Sequence, residues 1–423
     1  MALRGWSWDA ASGPAGVGDR PLLEALAAAI PDEAVEAAIE ASGTRQQRRR
    51  RLPTHLVVTL VVAMGLWASE SMRHVLAEVV AGWRERPARS RDGAVRRREA
   101  WQLPSTAAIV QARQRAGAWV LWRLFQTVAG PIAPPATPGV FLGGLRLMAV
   151  DGTTLDLADT AANERAFGRP TTARGSQRGA FPQLRVVALI ETGTHVICDA
   201  VLRPCTRSEV PAALRLLRAL GPGMLLLWDR GFHSYEMVRG TLAREAQFLG
   251  RTKRNVVLQP TEVLADGSFL AAIYPTPGAR RRGQDGIVLR VIEYALDRPA
   301  GPGRTKYRLI TSLLDERAFP ATQVAATYHE RWEIETTLDE VKVHQWAHPR
   351  PLRSKHPRAV VQEVYGLLLA HLAIRTLMHQ AALQEGLDPD RLSFTGALRV
   401  LRRAIPRAQR TQPAHLPLFA RTC

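Results

Sequence analysis

The sequence predicts a mixed α/β fold, in which an all-helical amino-terminal region precedes a mixed-sheet core that is interrupted by a β-rich insertion. Three observations support this prediction. The first 140 residues carry helical periodicity. Strand-like and helix-like segments alternate after the proline-rich linker "GPIAPPATPGV". Residues 254–305 then hold two further strand-like runs among glycines and prolines.

The amino-terminal region consists of predicted helices. "PLLEALAAAIPDEAVEAAIEASG" predicts two short ones, broken at Pro31 and stopped at Gly43. The apolar run "LVVTLVVAMGLWA" at 56–68 is shorter than the roughly 18–20 residues of a membrane span, which favours a buried helix. "PSTAAIVQARQRAGAWVLWRLFQTVAG" predicts another helical region before the linker.

The core begins with three predicted antiparallel strands. "LRLMAVDGTTLDLAD" supplies the first, and "QLRVVALIETGTHVICDAVLRP" has the pattern of a hairpin. A helix that ends at Gly221, the strand "MLLLWDRGF", a helix over about 234–246 and the strand "AQFLGRTK" follow. After the insertion, "KYRLITSLLD" predicts another core strand, followed by a long helix from near Phe319 and two carboxyl-terminal helices.

Composition and charge favour an anionic partner. The formal net charge is +19 and the pI is about 11.1, an imbalance typical of proteins that bind nucleic acid or an acidic membrane. Basic residues concentrate in "TRQQRRRRLP" and in "RERPARSRDGAVRRR" at 84–98, where phosphate contact and a solvated charge run both fit. Three cysteines without a CxxC pair argue against a disulfide framework or a structural zinc site, and no secretory signal pattern is visible, so a cytoplasmic location is expected.

Two aspartates follow predicted buried strands. Asp151 ends "RLMAVDG" and Asp229 ends "MLLLWDRG". A charge directly after an apolar strand is costly unless it faces an opening, a partner or a metal, and ligands of α/β proteins bind at strand ends. Each aspartate could instead begin a turn with the glycine nearby, and the residues alone leave both interpretations open.

The predicted helix "YHERWEIETTLDEVK" at 328–342 supplies a third carboxylate. On a regular α-helix four of its side chains share an arc of about 60°: Tyr328, Arg331, Glu335 and Lys342. Asp339 lies near the same stripe and is not excluded by this geometry. The alternative is an exposed helix with ordinary ion pairs. The chain contains 53 arginines and only 4 lysines, however. A lysine in this stripe therefore indicates that a compact point charge is needed there.

These motifs resemble the DDE transposases of bacterial insertion sequences, in the group named after insertion element four. The signature of that group is Tyr, two residues, Arg, three residues, Glu, six residues, Lys, and the helix carries it without a gap. The group places its first carboxylate as in "AVDGTT" and its second as in "WDRGFHS". The region around "RRRRLPTHLVVTLVVAMGLWASESMRHVLAEV" also looks like the group's amino-terminal domain, so the resemblance covers about residues 22–380.

The resemblance implies an RNase H-like core and five segments of the chain. They are a helical, basic DNA-binding domain at 1–140, the first part of the catalytic core at 141–253, the β-rich insertion at 254–305, the second part of the core with the signature helix at 306–355, and a helical carboxyl-terminal region at 356–423. Some relatives stack a displaced base on a tryptophan of the insertion. This insertion contains none, and its aromatic candidates are Phe269, Tyr274 and Tyr294.

The resemblance also implies the roles of individual residues. Those implied as catalytic and metal-binding are Asp151, Asp229 and Glu335. Oxygen-only ligands suit a pair of Mg²⁺ ions, with Mn²⁺ as a substitute. Those implied as DNA-binding are Tyr328, Arg331, Lys342 and Arg230, the last with a structural ion pair as its alternative.

Such an enzyme would cut double-stranded DNA at the inverted repeats of a transposon and join the freed 3′-hydroxyl to target DNA, by a cut-and-paste route. A homodimer on DNA, a bacterial cytoplasmic and nucleoid-associated location, and no membrane partner are implied as well. Two alternatives remain: a catalytically silent, transposase-derived DNA-binding protein, and an RNase H-like nuclease. Because all three carboxylates are present, the sequence favours the active transposase.

Overall fold

The computed structural model describes residues 28–46, 50–81, 88–89, 95–96, 102–171, 178–253, 255–297, 304–346 and 350–411. Part of the arginine run at 48–51 and nearly all of the basic segment at 84–98 lie outside the described residues. The phosphate contacts that the sequence predicts for these segments therefore stay predictions.

Within the described residues, helices predominate toward both ends of the chain and strands in its middle. In chain order, the α-helices of the described residues are α1 (Asp32–Ala41), α2 (Thr54–Leu66), α3 (Met72–Val79), α4 (Thr106–Ala116), α5 (Trp119–Val128), α6 (Ala161–Phe167), α7 (Val210–Leu216), α8 (Tyr235–Leu242), α9 (Pro277–Arg282), α10 (Ala321–His329), α11 (Trp332–Asp339), α12 (Pro357–Glu385) and α13 (Phe394–Thr411). A π-helical segment, Glu340–Gln345, continues α11. Short 3₁₀ turns lie at Leu217–Ala219 and Pro389–Arg391.

Ten strands form one large mixed sheet. The strands of the described residues are β1 (Ala88–Arg89), β2 (Val95–Arg96), β3 (Phe141–Leu142), β4 (Leu145–Asp156), β5 (Gln183–Glu191), β6 (Val196–Pro204), β7 (Met224–Trp228), β8 (Gln247–Arg251), β9 (Glu262–Val263), β10 (Phe269–Ile273), β11 (Ile287–Asp297) and β12 (Arg304–Thr311). The order in the large sheet is β6-β5-β4-β7-β8-β12-β11-β10-β9, with β3 paired to β4. The β4–β7 and β7–β8 pairs are parallel, whereas β5–β6 and β8–β12 are antiparallel.

The chain divides into two compact units. The helical unit comprises Met1–Gly130, Leu155–Gln183 and Asp339–Cys423, and the sheet unit comprises Pro131–Thr154 and Leu184–Leu338. The first change of unit, at Gly130, falls at the beginning of the proline-rich linker. Leu155–Gln183 belongs to the helical unit, although the sequence pattern assigned it to the core segment. The five segment boundaries from the sequence stay predictions.

The helical unit is built around α2 and α12, which approach each other closely. A Cβ atom added to Gly65 would lie 2.8 Å from the Cβ of Ala370, and one added to Gly366 would lie 2.6 Å from the Cγ1 of Val61. Two glycines therefore allow these helix backbones to pack together. The buried helix predicted at 56–68 is confirmed as α2, whose residues are almost all buried.

Helix termination in this unit follows local residue chemistry. Pro31 is extended and directly precedes α1, which confirms the predicted break, and Gly43 adopts a positive φ of 65° beyond the end of α1. The helical region predicted after residue 104 is two helices, because Gly117 takes a φ of 68° between α4 and α5. Among the described helices, α12 has the length and apolar composition of a membrane span, but 83% of its most apolar stretch is buried inside the protein.

The β-rich insertion of the sheet unit extends the core sheet. Its strands β10 and β11 pair with each other, and β11 pairs with the core strand β12. The insertion also contains α9, which the sequence pattern missed. The side chain of Thr276 accepts a hydrogen bond from the backbone of Ala279, Pro277 is the first helical residue, and Gly283 ends the helix in the left-handed conformation. The predicted mixed α/β class is confirmed.

Candidate active site

Two neighbouring parallel strands bring the first two carboxylates together. The pairing of β4 with β7 ends with Val150 opposite Trp228, and Asp151 and Asp229 follow these two residues directly. Paired strands lie about 4.8 Å apart, so the two aspartates occupy neighbouring positions on adjacent strands. Asp229 follows the end of β7, but β4 continues through Asp151 to Asp156, so the prediction that Asp151 ends its strand is wrong. Both side chains are partly exposed, to 22% for Asp151 and 35% for Asp229.

Buried packing fixes the end of β7. The indole of Trp228 is fully buried and stacks on Phe248 of β8, with 5.3 Å between ring centroids. Gly250 lies opposite Trp228 in the ladder, and a Cβ atom at Gly250 would lie 2.1 Å from the indole nitrogen. A larger residue at position 250 of β8 would overlap this indole. A glycine is therefore required there for Trp228, the residue before Asp229, to be packed as it is.

The signature segment is not the single regular helix that its sequence predicts. Helix α10 ends at His329 and α11 begins at Trp332. Between them, the backbone N–H groups of Glu330 and Arg331 donate to carbonyls three residues earlier, so the chain makes a tighter turn than an α-helix. The π-helical segment after α11 widens the turn again. The prediction that residues 328–342 form one regular helix, with 100° between successive side chains, is therefore wrong.

Three members of the signature nevertheless lie beside the two aspartates. The Nη1 of Arg331 lies 3.7 Å from the Oδ2 of Asp151, and its Nη2 donates to the Oε1 of Glu335 at 3.3 Å. The hydroxyl of Tyr328 donates to the Oδ1 of Asp229 at 3.5 Å. The i, i+4 ion pair considered as the alternative therefore exists, but its arginine also pairs with an aspartate almost two hundred residues earlier in the chain.

Burial and neighbouring charges shift the pKa values of the site residues in opposing directions. Burial raises the pKa of Asp151 to about 6, although the Gly152 N–H and the charge of Arg331 act to lower it, and the charge of Glu335 adds to the increase. Burial alone would lower the pKa of the Arg331 guanidinium, but Tyr328 and the neighbouring carboxylates outweigh it and raise this pKa. Burial also raises the pKa of Tyr328, so its hydroxyl stays a hydrogen-bond donor.

The donor atoms fit a hard divalent cation. Glu335 is 47% exposed, and the three carboxylates offer only oxygen ligands, which Mg²⁺ and Mn²⁺ prefer. The Arg331 side chain is 8% exposed, and its buried Nε has no hydrogen-bond acceptor among the described residues. This N–H is thus an unsatisfied donor beside the carboxylates, suited to an oxygen atom of a ligand.

Arg251 is a neighbour of the site that the sequence analysis missed. It is the last residue of β8, its Nη1 lies 3.9 Å from the Oδ1 of Asp229, and its guanidinium lies 4.5 Å from the ring centroid of Tyr307. The signal was present: "QFLGR" is an apolar strand that ends in a charge, as the strands before Asp151 and Asp229 do. The basic character of the chain made this arginine inconspicuous.

One of the three aromatic candidates of the insertion lies in a ring cluster near Arg251. Tyr294 stacks on Tyr307 with centroids 5.1 Å apart and planes at 7°, and its hydroxyl lies 3.2 Å from the Nε2 of His329. Phe269 begins β10, and Tyr274 follows the end of that strand. Among these three aromatic residues, Tyr294 stacks on Tyr307, whose ring lies beside Arg251, and Arg251 contacts Asp229.

The remaining candidates differ in position. Arg230 is exposed directly after Asp229. Lys342 is half-buried within the π-helical segment and belongs to the helical unit, so its place in the active site stays a prediction. Asp339 is exposed at the end of α11. The carboxylate of Glu333 accepts a hydrogen bond from the Gly193 backbone N–H at 2.7 Å.

Two aspartates on neighbouring strands, with a helix glutamate and an arginine beside them, are typical of enzymes that cut nucleic acids with divalent cations. Comparison with known families agrees with this class. Residues 20–126 match the amino-terminal domain of insertion element 4 transposases, and residues 142–373 match the transposase DDE domain. The second match spans more than half of the chain. The chain therefore belongs to the DDE transposase family, as its motifs indicated.

Two relatives identified by sequence agree with the family, and one solved structure aligns with the chain. The chain is 28% identical over 402 residues to the transposase InsG for insertion sequence element IS4 of Escherichia coli K12, covering 94% of this chain and 86% of that protein. It is 28% identical over 218 residues to the putative transposase InsZ of the same organism, covering 52% of this chain and 67% of that protein. A solved piggyBac transposase in a synaptic complex with hairpin DNA aligns over 94% of this chain and 83% of its own, with a TM-score of 0.48 and 13% identity.

The family establishes the general activity. The protein is a DNA transposase, an enzyme of the class that cleaves DNA and transfers strands, and it uses divalent metal. The RNase H-like fold class predicted from the sequence is confirmed with it. The identity of the metal, the DNA ends and the assembly on DNA go beyond the family.

Proposed function

We propose that this transposase cuts double-stranded DNA at the inverted repeats of its transposon and inserts the freed ends into target DNA by a cut-and-paste route, with Mg²⁺ as its metal and Mn²⁺ as a substitute. One observation carries the proposal. Arg331 lies within ion-pair distance of both Asp151 and Glu335, while Tyr328 of the same segment contacts Asp229. Three of the four signature residues, Tyr328, Arg331 and Glu335, therefore lie beside the two aspartates in the sheet unit, which supports the proposal.

In this proposal Asp151, Asp229 and Glu335 hold the metal. Two divalent cations in such a site stabilise the attacking and the leaving oxygens of an in-line phosphoryl transfer. Asp151 neighbours Asp229 through the strand register, and Arg331 pairs with both Asp151 and Glu335. Asp151 is therefore proposed to contact both cations.

The basic and phenolic groups of the site are proposed to position the DNA. Arg331 has an unsatisfied, buried Nε–H that suits a phosphate oxygen. Tyr328, held by its hydrogen bond to Asp229, would contact a phosphate or the adjacent sugar. Lys342 would contact a phosphate near the reacting bond, and the exposed Arg230 would support the same strand.

The partners follow from the proposed reaction. Joining both transposon ends to one target requires that the two ends be held together, so a homodimer on DNA is proposed. The net charge of +19 supports association with DNA in a bacterial cytoplasm, at the nucleoid.

The proposal is tested by incubating the purified protein with DNA that carries the sequences flanking its reading frame. We expect Mg²⁺-dependent nicks that leave 3′-hydroxyls at the repeat ends, and joined products when target DNA is added. Mn²⁺ should replace Mg²⁺, and Ca²⁺ should support binding without cutting. Asp229→Asn should bind DNA and not cut it, whereas Asp339→Asn, a matched change of an exposed aspartate, should cut normally.

The outcomes separate the alternatives. End binding without cutting by the wild-type protein in either metal would identify a silent DNA-binding protein. Cutting without joined products, and without preference for the repeat ends, would identify a nuclease. Loss of cutting in Asp339→Asn but not in Glu335→Gln would show that Asp339, rather than Glu335, supplies the third catalytic carboxylate.

A further inference from the structure

A buried arginine of the β-rich insertion contacts the loop that leads into α10. Arg290 of β11 is fully buried, and its Nη1 donates to the backbone carbonyls of Phe319 at 2.6 Å and Leu313 at 3.3 Å. These two residues lie between β12 and α10, outside the insertion. A buried charged group is costly unless its N–H groups find acceptors, and this loop supplies two of them. The loop is thereby tied to β11.

An aspartate of the same insertion caps α10. Asp266 lies in the turn between β9 and β10, and its Oδ2 accepts a hydrogen bond at 2.8 Å from the backbone N–H of Ala321, the first residue of α10. Pro320, directly before α10, makes no side-chain cap. The N–H groups of a first helical turn need acceptors from outside the helix, and a carboxylate also matches the positive end of the helix dipole. The insertion therefore supplies the cap.

The two charged residues belong to one hydrogen-bonded network. The Nη2 of Arg290 pairs with the Oδ2 of Asp266, and its Nε donates to the Oγ of Ser268 at 2.7 Å. The Oδ1 of Asp266 accepts from the Ser268 backbone N–H at 3.1 Å and from its hydroxyl. Burial acts to raise the pKa of Asp266, but its hydrogen bonds and the charge of Arg290 outweigh it and lower the pKa. Sequence reasoning could not select this aspartate, because "ADGS" has the ordinary composition of a turn.

Strand β11 contacts α10 at its other end as well. The hydroxyl of Tyr294 lies 3.2 Å from the Nε2 of His329, the last residue of α10. Arg290 and Tyr294 are four residues apart on β11, so their side chains lie on the same face of the strand and about 14 Å apart along it. The helix from Ala321 to His329 is about 12 Å long. The insertion strand therefore lies alongside α10 and contacts both of its ends.

The position of α10 decides where the signature residues lie. Tyr328 is the next-to-last residue of α10, and its hydroxyl contacts Asp229 at 3.5 Å. Arg331 is the second residue after the helix, and its guanidinium pairs with Asp151. Because a hydrogen bond is lost beyond about 3.5 Å, a displacement of α10 by about 1 Å is enough to separate Tyr328 from Asp229.

We propose that Asp266 and Arg290 are positioning residues of the transposase reaction, which hold α10 where its signature residues reach the two aspartates of the site. This inference rests on the proposed function, because it takes Tyr328 and Arg331 as parts of the active site. It gives the insertion a role in cleavage that acts through the core helix. The competing explanation is that the network only stabilises the fold.

The test compares two lost helix caps in the full-length protein. Asp266→Ala removes the acceptor at the start of α10, and Thr276→Ala removes the side-chain acceptor at the start of α9 in the same insertion. Both are assayed at a temperature at which circular dichroism shows them folded, on DNA that carries the sequences flanking the reading frame.

The two variants should differ in rate and not in DNA affinity. At saturating DNA and Mg²⁺, Asp266→Ala should cut about tenfold more slowly than the wild type, because small displacements of active-site groups lower rates steeply. Its affinity for the DNA should stay within about twofold, because phosphate contacts dominate that affinity. Thr276→Ala should cut at the wild-type rate.

A second variant protects the test from misfolding. Asp266→Leu combined with Arg290→Met replaces the charged pair with apolar side chains, whereas Asp266→Ala leaves a buried arginine without its counter-charge. The combined variant should therefore melt at a higher temperature than Asp266→Ala. It still lacks the cap of Ala321 and the hydrogen bond to the Phe319 carbonyl, so it should cut as slowly.

Coupling to Tyr328 is the measurement that a purely structural role would not move. Tyr328→Phe removes the hydroxyl that contacts Asp229. If Asp266 acts through the position of this hydroxyl, Tyr328→Phe should slow cutting much less in the Asp266→Ala background than in the wild type. In the Thr276→Ala background it should have its full effect.

Two results would overturn the inference. One is cutting at the wild-type rate by folded Asp266→Ala or by the combined variant. The other is slowing of Asp266→Ala that is matched by Thr276→Ala, or that multiplies fully with the effect of Tyr328→Phe, since either would make the network structural. Failure of the proposed function looks different, because Tyr328→Phe and Arg331→Ala would then themselves leave cutting unchanged.

Discussion

Two glutamates five residues apart, Glu335 and Glu340, both pair with arginine but in opposite surroundings. Glu335 in the sheet unit is 47% exposed and receives one hydrogen bond from Arg331 at 3.3 Å. Glu340 in the helical unit is 5% exposed and accepts a two-pronged interaction from the buried Arg375, with the Nε–H donating at 2.9 Å. The same pair of residue types therefore occurs once at an open site and once in a core.

The difference shows what each arrangement can do. The Nε2 of His371, itself buried, lies 3.2 Å from the Oε2 of Glu340. Both carboxylate oxygens of Glu340 thus have partners within α12, and removing one partner would leave a buried charge. The Glu335 carboxylate keeps solvent access and can exchange its arginine for a cation or for water. Exposure, rather than residue type, distinguishes a carboxylate that can bind a ligand from one that supports the fold.

The largest effect is expected when the open site loses a carboxylate. Asp229→Asn should reduce DNA cleavage about 10³-fold or more, because an amide neither carries the negative charge nor matches the ligand strength of a carboxylate. The melting temperature should change little, since Asp229 is partly exposed. Gel assays of end cleavage together with thermal melting measure both quantities. Retained cleavage would remove Asp229 from the chemistry.

The two glutamates provide the direct comparison. Glu340→Gln should destabilise the protein by about 3 kcal/mol, because Arg375 and His371 lose a buried counter-charge. Glu335→Gln should change stability by less than about 1 kcal/mol while abolishing cleavage. Urea unfolding and cleavage assays on both variants decide the matter. Similar stability losses in the two would refute the contrast between them.

The open site depends on buried packing beneath it. Gly250→Ala should cost about 2 kcal/mol and reduce cleavage at least tenfold, because the added methyl group would overlap the indole of Trp228 and move the strand end that carries Asp229. Gly221→Ala is the matched control, since a Cβ atom there meets nothing within 4 Å. Urea midpoints and cleavage rates are the measurements. Equal behaviour of the two variants would contradict this account.

The smallest expected effect concerns Asp151, whose surroundings are intermediate between those of the two glutamates. Its pKa of about 6 in the folded protein exceeds the ordinary value of about 4. Between these pH values the native state binds more protons than the unfolded chain, so the contribution of Asp151 to stability falls as pH rises through this window.

Asp151→Asn removes that contribution. Without divalent cations, the stability of the wild-type protein relative to Asp151→Asn should fall by about 1–2 kcal/mol between pH 4 and pH 6.5. Urea unfolding at several pH values measures the difference. Parallel pH profiles for the two proteins would show that the carboxyl of Asp151 titrates normally.

Local patterns predicted most elements of the fold. The apolar runs before Asp151 and Asp229 became adjacent parallel strands, and the break at Pro31 and the buried helix α2 follow from short stretches of sequence. Helix α9 was missed because its start depends on a side-chain hydrogen bond from a loop threonine. The signature helix was predicted as regular because a periodic pattern contains no sign of the tight turn at Glu330 and Arg331.

The sequence by itself predicted which residues would carry the chemistry, because side-chain type, position after an apolar run and the spacing of the signature are local properties. Only the tertiary structure decided which charges meet. Arg331 reaches Asp151 and Arg251 reaches Asp229 through sheet register and helix placement. The physical reason is that burial and Coulomb interactions depend on distance in space, and spacing along the chain fixes that distance only within a turn or two of helix.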